Sequence, residues 1–193
     1  PIHPLGPMRM SAVSPDFAIK LYSNIRKYKP QTVIELGSGL STVVAAYALS
    51  RNAAEDGLSH PKIISIDQSS ECAGKTLSEV VSHGLDKFVE VMHVPLVPID
   101  FPGKTSVWYD TLGIPSVNAD MLIVDGPYDA SKTEAMIRYP ALPRLLNMLN
   151  PGAIVMIDDA SRENEREMIA LWLKEYPSIR YEFIPTEKGT GII

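Results

Sequence analysis

Cysteine is nearly absent, with Cys72 alone among 193 residues. One thiol excludes an intramolecular disulfide and a cysteine-built metal centre, and it suits a cytoplasmic, reducing location. Positive charge is scarce: 18 Lys and Arg face 23 Asp and Glu, a net charge of −5. No basic stripe stands out, so no nucleic-acid partner is expected. No apolar run approaches the roughly 20 residues that span a bilayer, so no membrane partner is expected. No signal peptide is visible, although the chain as given opens on Pro1. Repeats, low-complexity tracts and domain-boundary linkers are also missing. There is no catalytic triad, and His93, sharing strand parity with Val89 and Val91, reads as structural. What remains is 45% hydrophobic and 21% charged, the balance of an ordinary globule. A single domain is expected over residues 1–193, with 1–13 as an irregular arm.

The most informative stretch is Thr32 to Thr42. An apolar strand, Thr32 to Leu36, carries Glu35 near its end and runs into Gly37-Ser38-Gly39. A helix then begins near Ser41. Glycines let a turn tighten and approach a ligand, and a helix start offers N–H groups and a positive dipole end. A dinucleotide fingerprint would place a third glycine where Thr42 stands. Glu35 would also repel a pyrophosphate. This disfavours a nicotinamide-dependent oxidoreductase and favours a ligand with a cationic centre.

The chain in order alternates strand and helix. Ser14-Pro15-Asp16 opens a helix with Ala18, Leu21, Tyr22 and Ile25 on one face, ending at Lys29-Pro30. The second strand, Lys62 to Ile66, ends at Asp67. Gln68-Ser69-Ser70 open a helix with Ala73, Leu77, Val80 and Val81 inward. Asp67 can accept two ribose hydroxyls or serve as that helix's N-cap. Phe88 to Val94 forms a third strand, and Pro98 to Val117 reads as a long connection around a short helix. The fourth strand, Asp120 to Val124, is apolar throughout, as in a parallel sheet, and Asp125 follows it. Helix is expected from Ser131 to Tyr139 and again from Pro140. Ala153 to Ile157 is the fifth strand, followed by Asp158 and Asp159, with Ser161 capping the next helix. Tyr181 to Ile184 and Thr190 to Ile193 form a hairpin. The result is an α/β, Rossmann-like, doubly wound sheet of seven strands. Five are parallel, and the hairpin adds one antiparallel strand in a three-layer αβα arrangement. Glu35, Asp67, Asp125, Asp158 and Asp159 all fall at strand carboxyl ends, the edge where such sheets bind ligands.

Glu35-Leu-Gly-Ser-Gly39, Ile66-Asp67, Asp120 to Pro127 and Pro151 to Asp159, in this order, resemble the successive motifs of class I S-adenosylmethionine (SAM)-dependent methyltransferases. Trp108-Tyr-Asp110, Val124-Asp-Gly-Pro127 and Arg138-Tyr-Pro-Ala-Leu-Pro143 resemble a bacterial subgroup of that family. The likeness spans roughly residues 14–193. It implies that SAM is held by Glu35, Gly37, Ser38, Gly39, Ser41, Thr42, Asp67, Gln68, Pro95, Leu96 and Asp125. Asp67 would take the ribose, and Pro95 and Leu96 would flank the adenine. It also implies Asp125, Asp158 and Asp159 as catalytic acids facing a small-molecule acceptor, with oxygen favoured as the methylated atom. Tyr128 and Lys132 are lesser candidate bases. The three acids further resemble the Mg²⁺ site of catechol-type O-methyltransferases, except that Asp159 stands where those carry asparagine. Without metal, Asp158 and Asp159 would cap the following helix and bind the acceptor. A non-catalytic SAM-binding domain is the alternative function.

Overall fold

The computed structural model describes residues 3–8, 12–101, 104–129 and 136–193. In chain order it runs α1 (Pro15–Tyr28), β1 (Thr32–Leu36), α2 (Leu40–Asp56), β2 (Lys62–Asp67), α3 (Ser70–Ser82) and β3 (Val89–His93). Then come β4 (Leu96–Phe101), β5 (Lys104–Tyr109), β6 (Ala119–Val124), α4 (Ala141–Leu145), β7 (Leu149–Ile157), α5 (Glu163–Glu175), β8 (Glu182–Ile184) and β9 (Thr190–Ile192). Local chemistry sets many ends. The Ser14 hydroxyl accepts from Phe17 N, and Pro15 takes the first helical position of α1. Lys29 closes that helix in a left-handed conformation. Among the described residues no helix is long and apolar enough to cross a membrane.

The main sheet has the order β3-β2-β1-β6-β7-β9-β8. The first five of these are parallel, and β9 runs antiparallel to both β7 and β8. This is the expected seven-stranded, doubly wound sheet with one antiparallel strand. Strand parity sorts the core. Val33, Ile63, Met121, Ile123 and Met156 face α1 and α2. Ile34, Leu36, Ile66, Leu122 and Val124 face α4, α5 and the Trp108–Tyr109 pair.

Four expectations are corrected. The 98–117 connection holds the antiparallel pair β4–β5 and one short 3-10 turn, not a helix between strands. Its prolines disguise a β-pattern, and Pro98 is tolerated because a two-stranded ladder consists only of edges. Residues 136–140 form a turn where helix was expected, residues 130–135 lie outside the described chain, and α4 is only one turn long. Leu77 and Val81 point outward from α3, while Ala73, Thr76 and Val80 face in. Arg162, not Ser161, takes the N-cap position of α5; Ser161 N instead donates to Lys188 O. That bond ties the β8–β9 turn to the end of β7.

Candidate active site

A cleft of about 1000 Å³ opens beyond the carboxyl ends of β1, β2, β6 and β7. Gly37, Ser38, Gly39, Ser41, Asp67, Gln68, Asp125 and Asp159 line it, as the sequence placed them. Glu35, Thr42, Pro95, Leu96 and Asp158 are not among its walls. Pro95 and Leu96 instead start the β4–β5 pair, where Pro95 O accepts from Asp110 N.

Glu35 is turned away by alternation along β1, which aims it at α2 with Val33. It is fully buried. Its Oε2 accepts from Thr42 Oγ1 at 2.5 Å and from Ser65 Oγ at 2.6 Å, and its Oε1 has no partner. Thr42 Oγ1 in turn accepts from Gly39 N at 3.0 Å. Glu35 therefore braces the glycine turn from beneath, through Thr42. Burial pushes its carboxyl up to about 7, against the opposing hydroxyl bonds.

The turn's N–H groups are engaged within the protein. Gly37 N donates to Ile66 O at 2.8 Å, Ser38 N to Asp67 Oδ2 at 3.0 Å, and Gly39 N to Thr42. Asp67 Oδ2 also accepts from Ser38 Oγ, and its Oδ1 accepts from Ser69 N. Ser69, not Asp67, is the N-cap of α3. Gln68 pairs both ends of its amide with the Tyr128 backbone, each bond 2.7 Å, bridging β2 to the loop after β6. Lys132 lies outside the described residues.

Gly37 and Gly126 pack backbone to backbone. Gly37 has a φ of +91°, and a Cβ there would lie 2.9 Å from Gly126 N. A Cβ on Gly126 would lie 2.5 Å from Tyr109 OH. The Tyr109 hydroxyl is buried at the cleft without a protein partner. Tyr109 stood within the Trp108-Tyr-Asp110 motif without a role, and a buried phenol aimed at a cavity has no sequence signature. Gly37→Ala combines a left-handed φ with a backbone clash. It should lower stability by about 1–3 kcal/mol in urea unfolding. An unchanged midpoint would show that the two loops do not meet this closely.

The acids after β6 and β7 come together. Carboxylate oxygens of Asp125, Asp158 and Asp159 lie within 4.8 Å of one another. Arg138 stands among them, itself buried. Its Nη2 lies 3.3 Å from Asp125 Oδ1 and 3.1 Å from Asp159 Oδ2. Its Nη1 donates to Asp158 O at 3.3 Å and faces Glu165 at 3.7 Å. Arg162 adds a 2.8 Å pair to Asp159, and Lys188 reaches Asp159 Oδ1 at 3.8 Å. Burial, then Asp159, pushes the Asp158 carboxyl up to about 6. Burial raises Asp125 well above the usual carboxylate range, with Arg138 opposing and Asp158 and Asp159 adding to the rise. Arg138 already claims Asp125 Oδ1 and Asp159 Oδ2, two of the oxygens that Mg²⁺ would need, so a metal would have to displace the guanidinium from them; Asp158 Oδ1 and Oδ2 and Asp159 Oδ1 are buried without a protein hydrogen bond. Sequence reading quoted Arg138 within a motif and gave it no role. Four acids on one buried rim demand a counter-ion, and that requirement was the available signal.

The nearest walls otherwise come from both chain ends. Ala12 and Val13 line the cleft beside Lys188, whose Nζ donates to Ala12 O at 2.9 Å.

Comparison with known proteins agrees with this fold. Curated protein sequences contain no significant match. Solved structures share the fold. A methyltransferase from Geobacter sulfurreducens superposes with a TM-score of 0.66 at 19% identity, over 95% of this chain and 80% of its own. An O-methyltransferase from Bacillus cereus in complex with S-adenosylhomocysteine gives 0.68 at 15%, over 95% and 82%. The O-methyltransferase of tomaymycin synthesis from Streptomyces achromogenes, in complex with SAM, gives 0.65 at 17%, over 94% and 80%. The model of a methyltransferase-domain family matches residues 34–160, from β1 to the end of the acid cluster. The chain therefore belongs to that methyltransferase-domain family.

Proposed function

We propose that the cleft holds SAM and that the methyl group goes to an oxygen of a small acceptor. One observation carries this reading. Every N–H from Gly37 to Gly39 is spent inside the protein, while Asp67 and Asp125 line the same turn. Such a lining offers no phosphate cradle and suits a cation, which disfavours a dinucleotide. The cleft's size matches that of small-molecule sites.

When bound, SAM supplies a methyl group already activated by its sulfonium. Gly37, Ser38, Gly39 and Ser41 line the place for its methionine part. Asp67 takes the ribose hydroxyls in exchange for the Ser38 hydroxyl, and Gln68 lies beside the adenosine. Tyr109 offers its unpartnered hydroxyl from the floor. The Gln68–Tyr128 bridge and the Ala12–Lys188 contact limit water, so that alignment does most of the work. Asp125 is the base. It lines the cleft, and burial raises its proton affinity above that of an ordinary carboxylate, which favours receiving a hydroxyl proton. The net charge and the exposed lone thiol of Cys72 fit a cytoplasmic enzyme without a nucleic-acid partner.

Calorimetry with SAM, S-adenosylhomocysteine and NAD tests the cofactor, and release of S-adenosylhomocysteine over a panel of hydroxylated acceptors tests the reaction. Binding of NAD without SAM would overturn the reading. Asp67→Ala is expected to weaken SAM about 10- to 100-fold, the worth of charge-assisted hydrogen bonds. Unchanged affinity would remove Asp67 from the ribose.

A further inference from the structure

We propose that Arg138 is the resident cation of this site. Its guanidinium holds the place that a divalent metal takes in catechol-type O-methyltransferases, so transfer needs no metal and the acceptor presents a single hydroxyl, not a chelating pair. The inference rests on the reading of the cleft as a SAM site.

The geometry is one of mutual exclusion. The three acids lie close enough to share one ion, with their oxygens within 4.8 Å. Nη2 of Arg138 already lies between two of them, at 3.3 Å from Asp125 and 3.1 Å from Asp159. Its other nitrogen is anchored on Asp158 O and faces Glu165. Arg138 is 5% exposed at the wall of the cleft, and moving it aside would leave the buried acids without their partner. Arginine also stays charged at any working pH, which makes it a permanent counter-ion where a metal would be exchangeable. A divalent cation recognises its acceptor by ligation, which rewards two adjacent oxygens. A guanidinium whose hydrogen bonds go to carboxylates gives no such reward. Asp125, which lines the cleft, then takes one proton from one acceptor oxygen.

The test uses the full chain after EDTA treatment. Mn²⁺ alone is titrated and followed by electron paramagnetic resonance, and SAM is titrated by calorimetry. The wild type is expected to bind SAM without metal and to show no saturable Mn²⁺ binding below about 1 mM, the weak end of protein oxygen sites. Arg138→Ala uncovers the three acids. It should bind one Mn²⁺ at least about 100-fold more tightly than the wild type, and Mn²⁺ should raise its melting temperature and not the wild type's. A lost structural contact alone would create no metal site. If the alanine variant is not recovered folded, Arg138→Gln keeps hydrogen-bonding groups while dropping the charge. Stoichiometric Mn²⁺ binding by the wild type that Asp158→Ala abolishes overturns the proposal, as does a folded, uncharged variant without Mn²⁺ binding. Failure of SAM to bind removes the cofactor reading instead, and the Mn²⁺ titrations still decide what Arg138 replaces.

Discussion

Exchanging Arg138 for methionine is expected to lower stability by about 3–5 kcal/mol near neutral pH, the cost of leaving buried charges without their partner. Methionine keeps much of the side-chain volume, so the loss isolates charge. Arg138 faces Asp125, Asp159 and Glu165 through ion pairs and Asp158 through its backbone oxygen. Burial already raises the carboxyls of Asp125, Asp158 and Glu165, and Arg138 opposes each rise. Without it they hold protons still more tightly. The variant's deficit should therefore be smaller at about pH 5 than at about pH 8, on either side of the value of about 6 to which Asp158 is pushed. Urea unfolding at the two pH values measures both. An equal deficit at both would assign the loss to packing and not to charge.

Glu35→Gln should flatten the pH dependence of stability. Glu35 holds its proton more tightly folded, at about 7, than its ordinary value of 4.5. A carboxyl raised in this way stabilises the fold most below the unfolded value. That contribution is lost as pH rises through the folded one. The shift corresponds to on the order of 3 kcal/mol between about pH 4.5 and 7. The wild type should thus lose stability across this window, with Asp158 adding in the same direction. Glutamine removes the Glu35 share, since its amide does not titrate. It can still accept from Thr42 and Ser65 through its oxygen. Urea midpoints across the window test this, and identical slopes for wild type and variant would mean that Glu35 does not titrate there. Stability at high pH should be greater in the variant, which would make Glu35 a residue that costs stability in order to hold the turn.

The sequence reading of these two residues illustrates a wider division. Glu35 was legible as an oddity at a strand end, but its direction was not. Whether a side chain enters the cleft or braces the turn depends on strand parity and on Ser65, which β1–β2 pairing brings beside it from 30 residues away. Arg138 carries no local pattern. Its meaning arises only when β6 and β7 set Asp125 beside Asp158 and Asp159. Tyr109 reaches the floor because β4–β5 replaces a helix between β3 and β6, a pairing that its prolines hid.

By itself the chain determined the order and kind of its main elements. Apolar runs, N-caps, glycine stops and the Gly37–Gly39 turn are local, and each acts over a few residues. From these came the parallel sheet, its closing hairpin and the edge that carries the acids. Only the tertiary structure decided which acids open to the cleft, which are buried against α2, and which are neutralised by an arginine. Those outcomes depend on distances between residues far apart in sequence, and on burial, which sets the energy of every charge once water is gone.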